Sequence, residues 1–200
     1  MKNKIGIILM SLGTLLLAGA VFLFFWNQNE DRKANEASQE IIYKIAEEIE
    51  ENEKKEIKEE GGKFIPYEKT MPEKEIDGNG YIGCLFIPSL GLELPVMSEW
   101  DYAKLRVAPC RYGGSTVTED LVIAAHNYTS HFGKLKELNI GEIVKFMDMN
   151  GKIHQYEVAE VNVLEPTDIE EMINGEFSLS LFTCTYGGQS RLTVRCIEIK

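Results

Sequence analysis

The hydrophobic pattern of the chain begins with an uncharged apolar run, "IGIILMSLGTLLLAGAVFLFFW", from Ile5 to Trp26. A run of this length is sufficient to cross a bilayer as a helix. Lys2 and Lys4 precede it, and positive charge marks the cytoplasmic side of a membrane segment. We therefore predict a single-pass anchor over residues 1–27, with a cytoplasmic N-terminus and the rest of the chain outside the cell.

A cleaved secretory signal peptide is the alternative to this anchor. Ala18-Gly19-Ala20 has the small residues of a cleavage site. However, the apolar run continues beyond that site, from Val21 to Trp26. Because a signal peptide normally ends its apolar stretch before the cleavage site, the pattern favours the uncleaved anchor.

The next segment, residues 28–62, has the period of a helix. Isoleucines recur every four positions at Ile41, Ile45 and Ile49, and no Gly or Pro interrupts the segment before Gly61-Gly62. Residues 30–60 hold twelve Asp or Glu and six Lys or Arg. A charged, weakly amphipathic helix of this kind predicts a stalk, with a partner-binding helix as the alternative.

Beyond a linker over residues 63–79, the pattern changes to short alternating runs separated by Gly, Asn and Asp turns. We predict strands near 81–87, 92–98, 120–126, 142–148, 153–164, 177–184 and 190–199. Seven or so short strands over residues 80–200 predict a small, mostly antiparallel barrel. Within it, "HFGKLKELN" (131–139) predicts a helical insertion, and a bulge near Ala159-Glu160 would reconcile the two parities of the longest strand.

Charge and cysteine content narrow the possible functions. The net charge is −11 and no basic patch occurs, so nucleic acid and anionic lipid are not expected partners. Outside the cell, the four cysteines could form two disulfides. If one of them is a catalytic thiol, at least one other must also be unpaired, so a disulfide framework does not describe the chain well.

Strand parity separates the two cysteines of "SLSLFTCTYGGQSRLTVRC" (178–196). Phe182 and Cys184 share one face of their strand, whereas Cys196 lies in the apolar row of the next. If the two strands pair, Cys184 shares its face with Arg191. We therefore expect Cys196 to be a buried packing residue, and we expect the same of the cysteines at positions 84 and 110.

A thiol nucleophile needs a group that stabilises the thiolate and protonates the leaving group, and histidine serves both purposes near neutral pH. His126 closes the apolar strand "LVIAAH", where a rigid scaffold would present it to a groove. His131 and His154 occupy more polar surroundings in the sequence and are predicted to face solvent.

Five collinear segments resemble the sortases, the cysteine transpeptidases of Gram-positive cell surfaces. The segments are "IPSLGLELPV" (87–96), "APCRYGGS" (108–115), "LVIAAHN" (121–127), "FGKLKELNIGEIVKF" (132–146) and "SLFTCTYGGQSRLTV" (180–194). The resemblance covers roughly residues 80–200 and includes the N-terminal anchor. It implies a closed, mostly β barrel of seven to eight strands with short helical insertions.

The resemblance assigns roles to individual residues. The family's Thr-Leu-x-Thr-Cys motif occurs here with Ser180 in place of its first Thr, and it ends on Cys184, the implied nucleophile. His126 follows Ala125 where the family usually has Gly. Arg191 matches the arginine that orients substrate and stabilises the oxyanion, with Arg195, on the same face, as its only rival.

Substrate contacts follow from the same resemblance. The implied groove includes Ala124, Asn127, Phe182 and Thr183, and the loop over 165–176 would shape the pocket for the leucine and proline of a sorting signal. That loop carries four carboxylates, at Glu165, Asp168, Glu170 and Glu171. Without further ligands they are more typical of a solvated turn than of a calcium site, so no cofactor is expected.

The implied activity is cleavage of an LPXTG-like sorting signal of secreted proteins through a thioacyl intermediate, followed by transfer to an amine of peptidoglycan or lipid II. A pilin-polymerising sortase is the alternative, although such enzymes commonly carry a lid and a second hydrophobic segment, and this sequence stops at Lys200 after its last strand. A catalytically idle, membrane-tethered peptide-binding barrel is a further alternative, against which Cys184, His126 and Arg191 argue. Papain-like enzymes place Cys before His, the reverse of the order found here.

Overall fold

The computed structural model describes residues 2–59, 70–173 and 176–199, so part of the predicted linker lies outside the described residues. Two helices, nine strands and three short 3-10 helices make up this part of the chain. They are α1 (Lys2–Glu59), β1 (Lys74–Ile76), β2 (Asn79–Ile87), a 3-10 helix (Pro88–Leu90), β3 (Leu92–Met97), a 3-10 helix (Lys104–Arg106), β4 (Cys110–Gly113), β5 (Leu121–Ala124), a 3-10 helix (Leu135–Glu137), β6 (Ile143–Asp148), β7 (Ile153–Leu164), α2 (Ile169–Met172), β8 (Leu179–Cys184) and β9 (Arg191–Glu198).

Eight strands close into a barrel in the order β2-β3-β4-β5-β8-β9-β7-β6, and β6 pairs back onto β2. β1 extends the sheet from the start of β2. The predicted closed barrel of seven to eight strands is therefore confirmed. Its pairing is mixed rather than uniformly antiparallel, because β3–β4 and β5–β8 are parallel pairs.

Apolar residues alternate between the inside and the outside of the barrel along each strand. Leu121 and Ile123 of β5 lie in the interior cluster, while Val122 and Ala124 belong to a second cluster on the outer face. The outer cluster also contains Ile45 of α1, which is fully buried. The barrel therefore has a core on each side of this part of its wall.

The isoleucine face of α1 explains the outer core. Ile41, Ile45 and Ile49 lie on one side of the helix because residues four positions apart share a face, and all three are buried among the outer cluster. Ser38 of the same face is also buried, and its hydroxyl donates to the carbonyl of Val107 at 3.4 Å. The predicted stalk is thus helical, but its apolar face packs on the barrel of its own chain.

The apolar run at the start of α1 is long and apolar enough to cross a membrane, and none of it is buried against the barrel. No break separates it from the docked part of the helix, since α1 continues from Lys2 to Glu59.

Two local predictions have different outcomes. The register of β7 against β9 shifts between Val158 and Glu160, which confirms the bulge. The helix predicted over 131–139 is present only as one 3-10 turn, Leu135–Glu137. The apolar residues of this segment, Phe132, Leu135 and Leu138, are buried in a compact loop instead.

Candidate active site

The C-terminal ends of two parallel neighbours, β5 and β8, bring His126 and Cys184 to the same end of the barrel. Ala124 pairs with Phe182, and the amide of Ala125 donates to the Phe182 carbonyl at 3.1 Å. His126 and Cys184 each follow that pair by two positions. Adjacent strands lie about 4.8 Å apart, so His126 and Cys184 occupy equivalent positions on the two neighbouring segments.

Arg191 completes this group from β9, where it lies directly opposite Cys184 in the antiparallel register. Opposed residues of such a pair project from the same face, with Cβ atoms about 5 Å apart. The shared face predicted from strand parity is therefore present. Nη1 of Arg191 donates to the carbonyls of Gly188 (3.1 Å) and Ser190 (3.2 Å), so the guanidinium is held by the β8–β9 connection.

The connection between β8 and β9 is a tight glycine turn. Gly187 and Gly188 adopt φ values of 86° and 72°, a left-handed conformation that glycine adopts without steric cost. The amide of Gly188 donates to the Thr185 carbonyl at 2.8 Å. This turn sets the short connection that places Arg191 opposite Cys184.

His126 is half-buried and its surroundings favour the neutral imidazole. Burial, with a smaller contribution from the Arg106 guanidinium, lowers the pKa of His126 below its usual value. The ring of Tyr128 packs against it at a tilt of 32°, with centroids 4.8 Å apart. A neutral imidazole at this position can accept a proton from a thiol or an incoming amine.

Arg195, the rival arginine, is committed to a structural role. Only 2% of its surface is exposed, and its guanidinium donates to the carbonyls of Glu171 and Met172 and to the Ser180 hydroxyl. It also lies over the ring of Phe177, 5.4 Å from the centroid. The guanidinium of Arg195 is thus held beneath α2 by these contacts, whereas Arg191 takes the position opposite Cys184.

The residues implied to bind substrate divide into two groups. Ala124 and Phe182 lie on the outer face, the face that also carries Cys184, and both are buried there. Asn127 is half-buried just beyond His126. Thr183 instead points into the barrel, and its hydroxyl donates to the Ala125 carbonyl at 2.8 Å. Thr183 therefore holds β5 against β8, the two strands that carry His126 and Cys184.

An aromatic row that the strand pattern does not predict continues the outer face from Phe182. The rings of Phe182 and Tyr112 meet edge to face at 5.1 Å, and Trp100 meets Tyr112 at 5.8 Å. Tyr112 comes from β4, which the pattern also misses, and Trp100 comes from the loop after β3. The only sequence signal for this row is the clustering of aromatic residues between positions 100 and 112.

Burial distinguishes Cys184 from the other three cysteines. All four are free, and only Cys184 is partly exposed. Burial raises the pKa of Cys84 to about 12, that of Cys110 to about 11 and that of Cys196 to about 12. The three buried side chains therefore remain thiols at physiological pH and act as packing residues.

The prediction that His131 and His154 face solvent is wrong. His131 is fully buried, and burial lowers its pKa to about 4. His154 is 5% exposed and its Nδ1 lies 2.9 Å from a carboxylate oxygen of Glu198. The polar neighbours of both histidines in the sequence give no sign of this burial, and the partner of His154 comes from β9, a distant strand.

The carboxylates at 165–171 form a capped turn in the described structure. Oδ2 of Asp168 accepts from the Glu165 amide at 3.1 Å, and Glu170 and Glu171 are exposed. Among residues 2–59, 70–173 and 176–199, no group of three or more His, Cys, Asp or Glu could hold a metal ion. The expectation that this loop binds no calcium stays a prediction.

Solved structures similar to this chain are sortases. A sortase D5 transpeptidase from Clostridium perfringens is 19% identical over 82% of this chain and 99% of its own, with a TM-score of 0.61. Sortase C of Streptococcus pneumoniae is 22% identical over 80% of this chain and 97% of its own, with a TM-score of 0.57. Sortase C1 of Streptococcus suis is 27% identical over 60% of this chain and 73% of its own, with a TM-score of 0.52.

No curated protein matches the chain. The family model of the Sortase domain, however, matches residues 85–198, which run from the last three residues of β2 to the end of β9. Because this match spans almost the whole barrel and more than half of the sequence, the chain belongs to the sortase family.

Proposed function

We propose that this sortase is a membrane-anchored cysteine transpeptidase with Cys184 as nucleophile, His126 as general acid and base, and Arg191 as oxyanion donor. The observation that carries the proposal is the meeting of these three residues at one end of the barrel. Cys184 lies opposite Arg191 in the β8–β9 register, and His126 lies two residues beyond the end of β5, the parallel neighbour of β8.

The first half-reaction is acyl transfer to the thiol. The Cys184 thiolate attacks the Thr–Gly carbonyl of an LPXTG-like signal, and negative charge develops on the carbonyl oxygen. Arg191 can stabilise that charge if its guanidinium turns from the Gly188 and Ser190 carbonyls towards the substrate. His126, which has taken up the proton of the Cys184 thiol, gives that proton to the leaving glycine amine, and the C–N bond breaks to leave a thioester on Cys184.

In the second half-reaction an amine, rather than water, attacks the thioester and releases the enzyme. An amine of peptidoglycan or lipid II attacks the thioester, His126 takes the proton that this amine loses, and the Cys184 thiolate leaves. The new amide joins the secreted protein to the cell wall. A low pKa of His126 suits this step, because the free imidazole must accept a proton near neutral pH.

The outer face beside Cys184 is the proposed path of the sorting signal. Ala124 and Phe182 form its apolar floor, and the edge-to-face contact of Tyr112 with Phe182 extends that floor. Arg195 supports the segment around α2 from below through the Glu171 and Met172 carbonyls. This support fits the implied role of the 165–176 loop in shaping the leucine and proline pocket.

The proposed location is the outer surface of the cell membrane, with the N-terminus of α1 in the cytoplasm. The apolar start of α1 supplies the anchor, and the lysines before it set the orientation. The barrel would then meet secreted proteins that carry a sorting signal while both are held at the same membrane.

The full chain in detergent, incubated with a quenched Leu-Pro-x-Thr-Gly peptide library, should form a thioacyl adduct on Cys184 that mass spectrometry detects. Addition of an amine should release a peptide extended by that amine. Cys184→Ala should abolish the adduct, whereas Cys110→Ala, which removes a buried thiol of the outer cluster, should retain it. Arg191→Ala should slow turnover on the order of a hundredfold or more.

No adduct across the library, with a folded wild-type protein, would favour the non-catalytic peptide-binding barrel. Turnover by Cys184→Ala or undiminished turnover by Arg191→Ala would show that the residue assignment is wrong. Polymerisation of a pilin, in preference to transfer onto a cell-wall amine, would select the pilin-polymerising alternative.

A further inference from the structure

The loop that follows His126 is tied back onto His126 itself. The Phe132 amide donates to the His126 carbonyl at 3.1 Å, and the His131 and Gly133 amides donate to the Tyr128 carbonyl at 3.0 and 2.8 Å. We call residues 126–133 the His126 turn. A Cβ at Gly133 would lie only 2.6 Å from the Asn127 carbonyl oxygen, so the turn is closed tightly and its backbone cannot shift without moving His126.

Three rings lie in series inside this turn, with tilts of 32° and 50° between neighbouring rings, and we call them the ring stack. Tyr128 lies between the two histidines, with centroids 4.8 Å from His126 and 5.6 Å from His131. His131 is fully buried, and neither of its ring nitrogens has a hydrogen-bond partner among the described residues. Packing, rather than hydrogen bonding, therefore fixes the stack, and a displacement of the turn would displace the His126 ring.

The His126 turn is hydrogen-bonded from outside to Asp31 of α1. Oδ1 of Asp31 accepts from the Ser130 amide at 2.9 Å and from the Ser130 hydroxyl at 2.6 Å. The Ser130 hydroxyl also lies 3.1 Å from the Asp31 carbonyl oxygen. A carboxylate that accepts from a backbone amide and a hydroxyl of the same residue fixes both the position and the orientation of that residue.

Asp31 lies close to the membrane end of α1. It follows Trp26, the last residue of the apolar run, by five positions, which is about 7.5 Å along a helix axis. The same stretch of α1 lines a groove of about 480 Å³ together with Ser130 and Lys134. The contact therefore joins the anchor, just where it leaves the apolar run, to the loop that carries His126.

We propose that Asp31 is a positioning residue for His126: by holding Ser130 it fixes the His126 turn, and through the ring stack it sets the orientation of the imidazole. The proposal rests on the role of His126 given above. Other charged groups also act near this stack, namely Arg106 on His126 and Glu30 on Tyr128. Asp31 differs from them because it is hydrogen-bonded to the turn.

The test uses the full chain in detergent and compares Asp31→Ala with Asp31→Asn, which keeps the Oδ1 acceptor. Lys44→Ala is the matched control, because Lys44 joins α1 to Asp77 of the barrel at 2.6 Å on an exposed face away from the turn. Three quantities are measured: the pKa of His126, by NMR titration of its ring Cε1–H signal, and the kcat and KM of the reaction with a sorting-signal peptide.

Asp31→Ala should raise the pKa of His126 towards its ordinary value of 6.5 as the ring becomes more exposed. It should also lower kcat on the order of tenfold or more, with little change in KM. Asp31→Asn and Lys44→Ala should resemble the wild type in both measurements. If Asp31→Ala does not fold, Ser130→Ala, which removes only the hydroxyl, should show a smaller change in the same direction.

An unchanged His126 pKa and kcat in Asp31→Ala, with or without a lower melting temperature, would overturn the proposal and leave Asp31 a purely structural contact. If the wild type neither acylates nor turns over, the proposed function fails. The NMR comparison would still decide whether Asp31 positions His126.

Discussion

Replacement of His131 by phenylalanine should remove a large part of the acid sensitivity of the fold. His131 is fully buried in the ring stack beside Tyr128. Burial, reinforced by the positive charge that His126 can carry and opposed by Asp31, lowers the pKa of His131 from 6.5 to about 4. Phenylalanine keeps an aromatic ring in the stack but cannot take up a proton.

Whether the fold gains or loses stability as the pH falls depends on which state, folded or unfolded, protonates His131 at the higher pH. Between pH 6.5 and pH 4 the unfolded chain protonates this histidine, while the folded chain resists. The stabilising contribution of neutral His131 is therefore complete above pH 6.5 and is lost as the pH falls through this window. A pKa difference of about 2.5 corresponds to about 3.4 kcal/mol, of which about 2 kcal/mol is lost between pH 7 and pH 5.

Denaturant unfolding of the full chain at pH 7 and pH 5 measures this loss, with Trp100 fluorescence as the probe in a Trp26→Phe background, since these are the two tryptophans of the chain. The free energy of unfolding of the wild type should fall by about 2 kcal/mol more than that of His131→Phe. His131→Gln is the matched control. It is also non-titrating, so it should lose the same pH dependence although it packs less well. Equal pH dependence in all three proteins would refute the reasoning.

Three further predictions concern the outer face. Ile45→Ala should lower the free energy of unfolding by about 3 kcal/mol, because Ile45 is fully buried between α1 and the barrel. Chemical denaturation and limited proteolysis of α1 measure the loss. In Arg195→Met the Glu171 and Met172 carbonyls lose their donor. Hydrogen exchange around α2 should therefore become faster, and KM for the sorting peptide should rise by a larger factor than kcat falls. An unchanged exchange rate would contradict this role. Brief iodoacetamide treatment at pH 8 should modify Cys184 alone, because burial raises the pKa of each of the other three thiols to about 11 or 12; peptide mapping would show modification of a buried cysteine if this is wrong.

The strand pattern predicts the β8–β9 half of the site well. Strict alternation with a period of two places Cys184 opposite Arg191 and sends Cys196 inwards, as observed. His126 is identifiable because it ends an apolar strand. The parallel pairing of β5 with β8, which brings His126 beside Cys184, is not predictable from either strand, because it joins segments about sixty residues apart.

Other features depend on contacts that local pattern cannot show. His131 and His154 lie among polar neighbours in the sequence, but the fold buries both. β1 and β4 are only three and four residues long, too short for a periodic signal. The isoleucines of α1 predict an apolar helix face, but only the structure shows that their own barrel covers it.

The unbroken course of α1 from its apolar run to its docked face has a kinetic consequence. With α1 inserted in a bilayer as proposed, the barrel is docked on the same helix that crosses the membrane, so it cannot sweep a volume of solution. Its encounters become two-dimensional, so turnover should scale with the surface density of donors and acceptors in the same leaflet, in molecules per unit area, rather than with their bulk concentration. A substrate held too far from the bilayer would be out of reach however abundant it is.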